Sequence, residues 1–168
     1  MGEMGLFRPE ERIELIEGEL ISTAPIGGPH MRAVDILNRA LNLAVGPSVR
    51  VSVQNPLSLP PDSEPQPDLM LLRPECWQRA AVPTPGDVLL VVEVADTTLT
   101  YDRDVKLPLY ARHGVPEVWL VDVQARSLRQ YREPTPQGYR IMLDAAATDT
   151  IAPQLLPQVA IKLAEVFG

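Results

Sequence analysis

Glu93 stands inside LLVVEVA (89–95), a run that otherwise reads as a buried β-strand. An ionised carboxylate in such a strand costs several kcal/mol unless something pairs with it or binds it. Two residues offer it company. Asp68 opens the short apolar run DLMLL (68–72) directly after Gln66-Pro67, and Lys106 lies in the segment just beyond the Glu93 strand. If the two strands are neighbours in one sheet, both carboxylates converge at one edge, and a following helix can lay Lys106 over them. Two carboxylates suit a hard cation such as Mg²⁺ or Mn²⁺, which typically keeps several waters and meets substrate phosphates. A lysine beside such an ion can orient or deprotonate an attacking water and neutralise developing charge. Lys106 and Lys162 are the only lysines against thirteen arginines, so a retained lysine carries some information.

Simpler roles compete at each position. Asp68 can cap a turn, Glu93 can pair with an arginine such as Arg103, and Lys106 can pair with Asp102 four residues earlier on a solvated helix face.

The elements that must position these residues follow from hydrophobic period and punctuation. RIELIEGELIST (12–23) alternates around Glu17-Gly18 and predicts a β-hairpin. HMRAVDILNRALNLAV (30–45) places Ala33, Val34, Leu37, Leu41 and Ala44 on one helical face, ended by Gly46-Pro47. Period-two alternation over 49–54 predicts a strand, with PLSLP continuing it as an edge-like strand and PDSEPQP as a proline-braced loop. Residues 73–87 read as irregular with one helical turn around ECWQRA, ahead of strand 88–94. A helix capped by Thr100 or Asp102 runs to about His113 and stops at Gly114, with a kink expected at Pro108. PEVWLVDV (116–123) is then a buried strand, which makes strand, helix and strand a right-handed parallel crossover. SLRQYRE and YRIMLDA flank PTPQG as a second hairpin, and the tail reads as a strand followed by a short helix. Trp119 and Tyr110 read as core residues, Cys76 as a small core or loop residue, and His113 as a cation-favouring position at a helix C-terminus.

A chain of 168 residues suits one domain, taken as residues 1–168. No stretch reaches the roughly 20 apolar residues of a membrane span. The N-terminus lacks the hydrophobic run of a signal peptide, and one cysteine excludes an internal disulfide framework; together these place the protein in the cytoplasm. A net charge of −7 argues against a general nucleic-acid coat while leaving room for a local basic groove.

QPDLMLL, the opening IELIEGELI and above all VVEVADTTLTYDRDVKLPLYARHGVPEVWLVD resemble the Uma-type family of restriction endonucleases, a branch of the PD-(D/E)XK nuclease-like superfamily. The resemblance implies an α/β restriction-endonuclease-like domain, a mixed central sheet flanked by helices with an N-terminal β-hairpin. It places the PD element on Pro67-Asp68 and the acidic strand position on Glu93, both as metal ligands. The position two residues beyond that acid, where the simplest superfamily pattern has its lysine, is Ala95 here; the family supplies Lys106 from the following helix instead. The implied activity is Mg²⁺- or Mn²⁺-dependent hydrolysis of phosphodiester bonds in nucleic acid, DNA in the first instance, with Asp68, Glu93 and Lys106 catalytic. Glu19, His30 and Tyr110 are candidates for the periphery of the site. A homodimer is the default assembly, an unidentified protein partner is a further option, and the alternative is a catalytically silent nuclease-fold binding or assembly module.

Overall fold

The computed structural model describes residues 12–23 and 25–168. The N-terminal residues read as free of a hydrophobic leader lie, apart from Arg12, outside that range. β1 (Arg12–Ile16) and β2 (Glu19–Thr23) form the expected hairpin. Glu17 and Gly18 at its tip both have positive φ, 49° and 81°, the combination a two-residue turn of this hand requires.

The centre of the molecule is a six-stranded mixed sheet of order β3-β4-β5-β6-β7-β8. It comprises β3 (Arg50–Val53), β4 (Leu69–Leu72), β5 (Val88–Ala95), β6 (Glu117–Asp122), β7 (Ser127–Thr135) and β8 (Gly138–Ala146). Only β5 and β6 run parallel, and the crossover between them is helical, as the sequence predicts. On one face α1 (Gly28–Val45) packs Ala33, Val34, Leu37 and Leu41 against Leu69, Leu71, Val92, Val94 and Trp119. The tail, as β9 (Thr150–Ile151), β10 (Ile161–Lys162) and α5 (Leu163–Phe167), completes that layer. On the other face the crossover helix buries Leu107, Leu109 and Tyr110 against Met70, Val91, Val118 and Leu120. Every residue of β5 is buried, which explains why it reads as apolar everywhere except Glu93.

Three local expectations need correction. PLSLP is a loop with a single bridge, Leu59 to Ser63, and adds no strand to the sheet, because Leu57 and Leu59 bond to Pro65 and Ser63 of the loop that follows. The second hairpin runs further into PTPQG than expected, up to Thr135 and from Gly138. The crossover is not a single α-helix on the way to Pro108. It is built from α3 (Leu99–Tyr101), a π-helical turn (Asp102–Lys106) and α4 (Leu107–Arg112). Pro108 has no N–H for the Asp104 carbonyl and its ring would press on that carbonyl in an α-helix, so the wider turn accommodates it. Gly114, at φ 74°, ends the helix where the sequence places its stop.

Candidate active site

Asp68 immediately precedes β4, and the β4–β5 register pairs Leu69 with Val92, so Asp68 comes abreast of Glu93 at one end of the sheet. Two-residue periodicity sends Glu93 to the face of Val91 and Ala95, the face covered by the crossover helix. Lys106 and Tyr110 meet it there. Lys106 Nζ lies 2.6 Å from Glu93 Oε1, and Tyr110 donates its hydroxyl to the same oxygen at 2.5 Å. The π-helical turn, closed by the Leu107 N–H donating to the Asp102 carbonyl, holds both Asp102 and Lys106 buried beneath the helix.

The structure adds a third carboxylate. Glu14 of β1 is buried, and its Oε1 accepts hydrogen bonds from Lys106 Nζ at 2.9 Å and from the Gln66 amide at 2.6 Å. Asp68 Oδ2 accepts the Val94 amide at 2.8 Å. Its Oδ1 lies 3.1 Å from His30 Nε2 and 3.9 Å from the Arg12 guanidinium, without a well-aligned hydrogen bond among the described residues. Asp102 accepts the Thr98 hydroxyl at 2.8 Å.

Burial pushes the Asp68 carboxyl up, yet the neighbouring His30, the Val94 amide and Lys106 outweigh it and hold the group below the usual carboxylate range. Burial wins at Glu93, which is raised well above that range despite Lys106, with Asp68, Asp102 and Glu14 adding to the rise. Burial also carries Asp102 up to about 6 against the pull of Lys106 and Thr98. For Lys106 burial favours the neutral amine, but Glu93, Glu14 and Asp102 together raise its pKa above that of a free lysine. Lys106 is therefore a cation at neutral pH, able to orient and to balance charge but not to take a proton.

These groups line a cavity of about 170 Å³, whose walls include Glu14, His30, Asp68, Glu93, Tyr101 and Lys106. Among the described residues three buried side-chain polar atoms lack a partner: His30 Nδ1, Asp68 Oδ1 and Tyr101 Oη. All three belong to residues that line this cavity. Each such atom costs on the order of 1–3 kcal/mol, so their concentration at one place makes this cavity the candidate site. No three His, Cys, Asp or Glu side chains among the described residues are gathered closely enough to hold a metal by themselves. The donor set fits a cation that takes two carboxylates and keeps water or phosphate oxygens for its other positions.

Asp68, Glu93, Lys106 and His30 thus come together, and Tyr110 supports Glu93 from behind. Glu19 does not join them: it is exposed on the hairpin and outside the cavity. Neither competing ion pair forms, since Arg103 bonds to Asp104 on the surface and Lys106 is bound to Glu14 and Glu93. Glu14 and Tyr101 were not legible as site residues. Alternation over RIELI points Ile13 and Leu15 inward, whereas the hairpin turns Glu14 and Ile16 to the core. Tyr101, one position before the expected cap Asp102, carried no signal.

The fold recurs in a solved structure described as "a putative nuclease belonging to DUF820", from Anabaena variabilis ATCC 29413, with a TM-score of 0.75 and 17% sequence identity. The superposition covers 98% of this chain and 94% of that one. The family Uma2, described as "Putative restriction endonuclease", matches residues 3–164. The chain belongs to the Uma2 family. No curated protein matches it. Membership of Uma2 supports a nuclease class of function acting on nucleic acid, in a family that generally uses divalent metals. No helix of the described residues is long and apolar enough to cross a membrane.

Proposed function

We propose that residues 1–168 form one nuclease-like domain that acts as a metal-dependent endonuclease in the cytoplasm, as a homodimer, hydrolysing phosphodiester bonds in DNA. The observation that carries the reading is the set of three buried atoms without a hydrogen-bond partner among the described residues, on His30, Asp68 and Tyr101, around a cavity that also receives Glu93 and Lys106. Asp68 Oδ1 and the second oxygen of Glu93, to which none of the described residues donates a hydrogen bond, would hold Mg²⁺ or Mn²⁺. The chemistry a bound ion would supply there is a water of lowered pKa and charge to offset the departing oxygen.

The chain's own residues do the rest. Lys106, fixed by Glu14 and Glu93, directs its charge into the cavity, orients the attacking water and offsets negative charge on the phosphate. Tyr110 anchors Glu93 Oε1 and so leaves the other oxygen for the ion. The Tyr101 hydroxyl and the His30 ring offer hydrogen bonds to the phosphodiester, which satisfies groups that are otherwise buried without partners.

The test is incubation of supercoiled plasmid, single-stranded DNA and RNA with the purified protein in Mg²⁺ or Mn²⁺, beside folded Glu93→Gln and Asp68→Asn variants. Cleavage that requires the metal and vanishes in both variants supports the reading. The alternative, a catalytically silent binding or assembly module, draws on the net charge of −7. Equal inertness of all three proteins, with no rise in wild-type melting temperature on adding Mn²⁺, overturns the nuclease reading in its favour.

A further inference from the structure

The two edges of the central sheet differ. β3, at one edge, is four residues long and leads into a proline-braced loop. β8, at the other, has nine residues, Gly138–Ala146, and no strand of the described residues pairs with its outer side. It contains no proline and no lysine, and it exposes 58% of Met142 and 42% of Leu143. Proteins ordinarily blunt a long apolar edge with such residues, with a bulge or by shortening the strand, because its free N–H and C=O groups pair with any strand presented to them.

We propose that the outer edge of β8 is the homodimer interface, paired antiparallel with β8 of a second copy about a two-fold axis through Met142. The argument is self-complementarity. Met142 is the middle residue of the strand, so an axis there sets each of its positions opposite one of the partner's and leaves only the Ala146 end, whose N–H and C=O already bond Asp149, without new backbone pairing. Residue i then faces residue 284 − i, which sets Arg140 opposite the partner's Asp144 twice, Ile141 opposite the partner's Leu143 twice, and the two Met142 side chains against each other. Within one chain Arg129 of β7 already bonds Asp144 at 2.5 Å, and Arg140 stands 3.8 Å from Glu133. The dimer extends these pairs into two symmetric rows across four strands, Arg129, Asp144, the partner's Arg140 and the partner's Glu133, with the sign alternating at every step. Registers shifted by two residues lose this pattern: an axis through Ile141 sets Arg140 against Met142, and one through Leu143 sets Asp144 against Met142. Opposite charges on directly facing strand positions favour pairing and like charges oppose it. An isologous contact of this kind also closes, so it yields a dimer and not a fibre.

This surface deepens the homodimer reading above and is independent of the nuclease reading, which cleavage tests. The experiment is light scattering after size exclusion on the full chain across a concentration series. Wild type is expected at twice the 18.5 kDa chain mass. Asp144→Arg alone and Arg140→Asp alone each place like charges opposite one another and should weaken association at least about tenfold. An equimolar mixture of the two variants restores opposite charges at both positions and should dimerise again, which a general folding defect would not do. Met142→Cys should cross-link to itself under mild oxidant, while Leu143→Cys, which faces Ile141 of the partner, should not. A monomer at every concentration overturns both the dimer and the surface. A wild-type dimer that neither charge variant weakens overturns the surface alone.

Discussion

Two glutamates lie on adjacent parallel strands of the sheet, both buried, and they are there for opposite reasons. Glu117, at the start of β6, is saturated. Its Oε1 accepts Trp119 Nε1 at 2.9 Å and Arg132 Nε at 3.1 Å, and its Oε2 accepts the Gln154 amide at 2.6 Å. It ties β6, β7 and the C-terminal tail together. Glu93, near the end of β5, has two donors crowded on one oxygen, acidic neighbours on several sides and a cavity in front of it. Burial alone therefore does not mark a functional carboxylate. What separates the two is whether the protein satisfies the group from within.

The sharpest way to break this contrast is Glu93→Gln. Cleavage in Mn²⁺ should fall on the order of a thousandfold, about 4 kcal/mol of barrier, while the urea midpoint falls less than in Glu117→Ala, since Lys106 keeps Glu14 at 2.9 Å as its buried counter-charge. A cooperative loss of the fold instead would class Glu93 with Glu117. Next in size, Glu117→Ala should cost about 3–5 kcal/mol in urea unfolding, because Arg132 and several polar donors lose their acceptor. Any residual folded Glu117→Ala should still cleave.

A third effect is a pH dependence confined to the cavity. Asp102 titrates at about 6 in the fold against 3.8 unfolded, so the native state binds more protons between those values. The slope of stability against pH is then negative: metal-free protein should become more stable as pH falls from about 6 toward 4. Asp102→Asn should flatten that rise and be the more stable protein at pH 7, by on the order of 1–2 kcal/mol, as read from thermal melts in chelator. Smallest is Tyr110→Phe. It frees Glu93 Oε1 from one donor and should lower stability by about 1 kcal/mol and cleavage by less than about tenfold.

Much of this architecture is legible locally. The alternation around Glu17-Gly18, the helical face of Ala33, Val34, Leu37 and Leu41, and the apolar runs 68–72 and 88–94 all report directly on burial, because side chains repeat every 2 or 3.6 residues. Glu93 stood out for the same reason, as a charge where the pattern demands none. Glu117 carries an equal anomaly in PEVWLVDV, yet nothing nearby in the chain names its partners: Arg132 is 15 positions away and Gln154 is 37.

The sequence by itself determined the six strands of the central sheet and the crossover, and it pointed to Asp68, Glu93 and Lys106 as candidates. A charge in an apolar strand, an acid at a strand start and a lysine on the adjoining helix are facts of local pattern. Only the tertiary structure decided that Glu14 holds Lys106 across 92 positions of chain, that His30 reaches Asp68 from the opposite layer, and that Glu19 faces solvent. Period tells which residues share a face. What packs against that face depends on how the hairpin, α1 and the crossover close over the end of the sheet, a long-range arrangement that no short window of residues encodes.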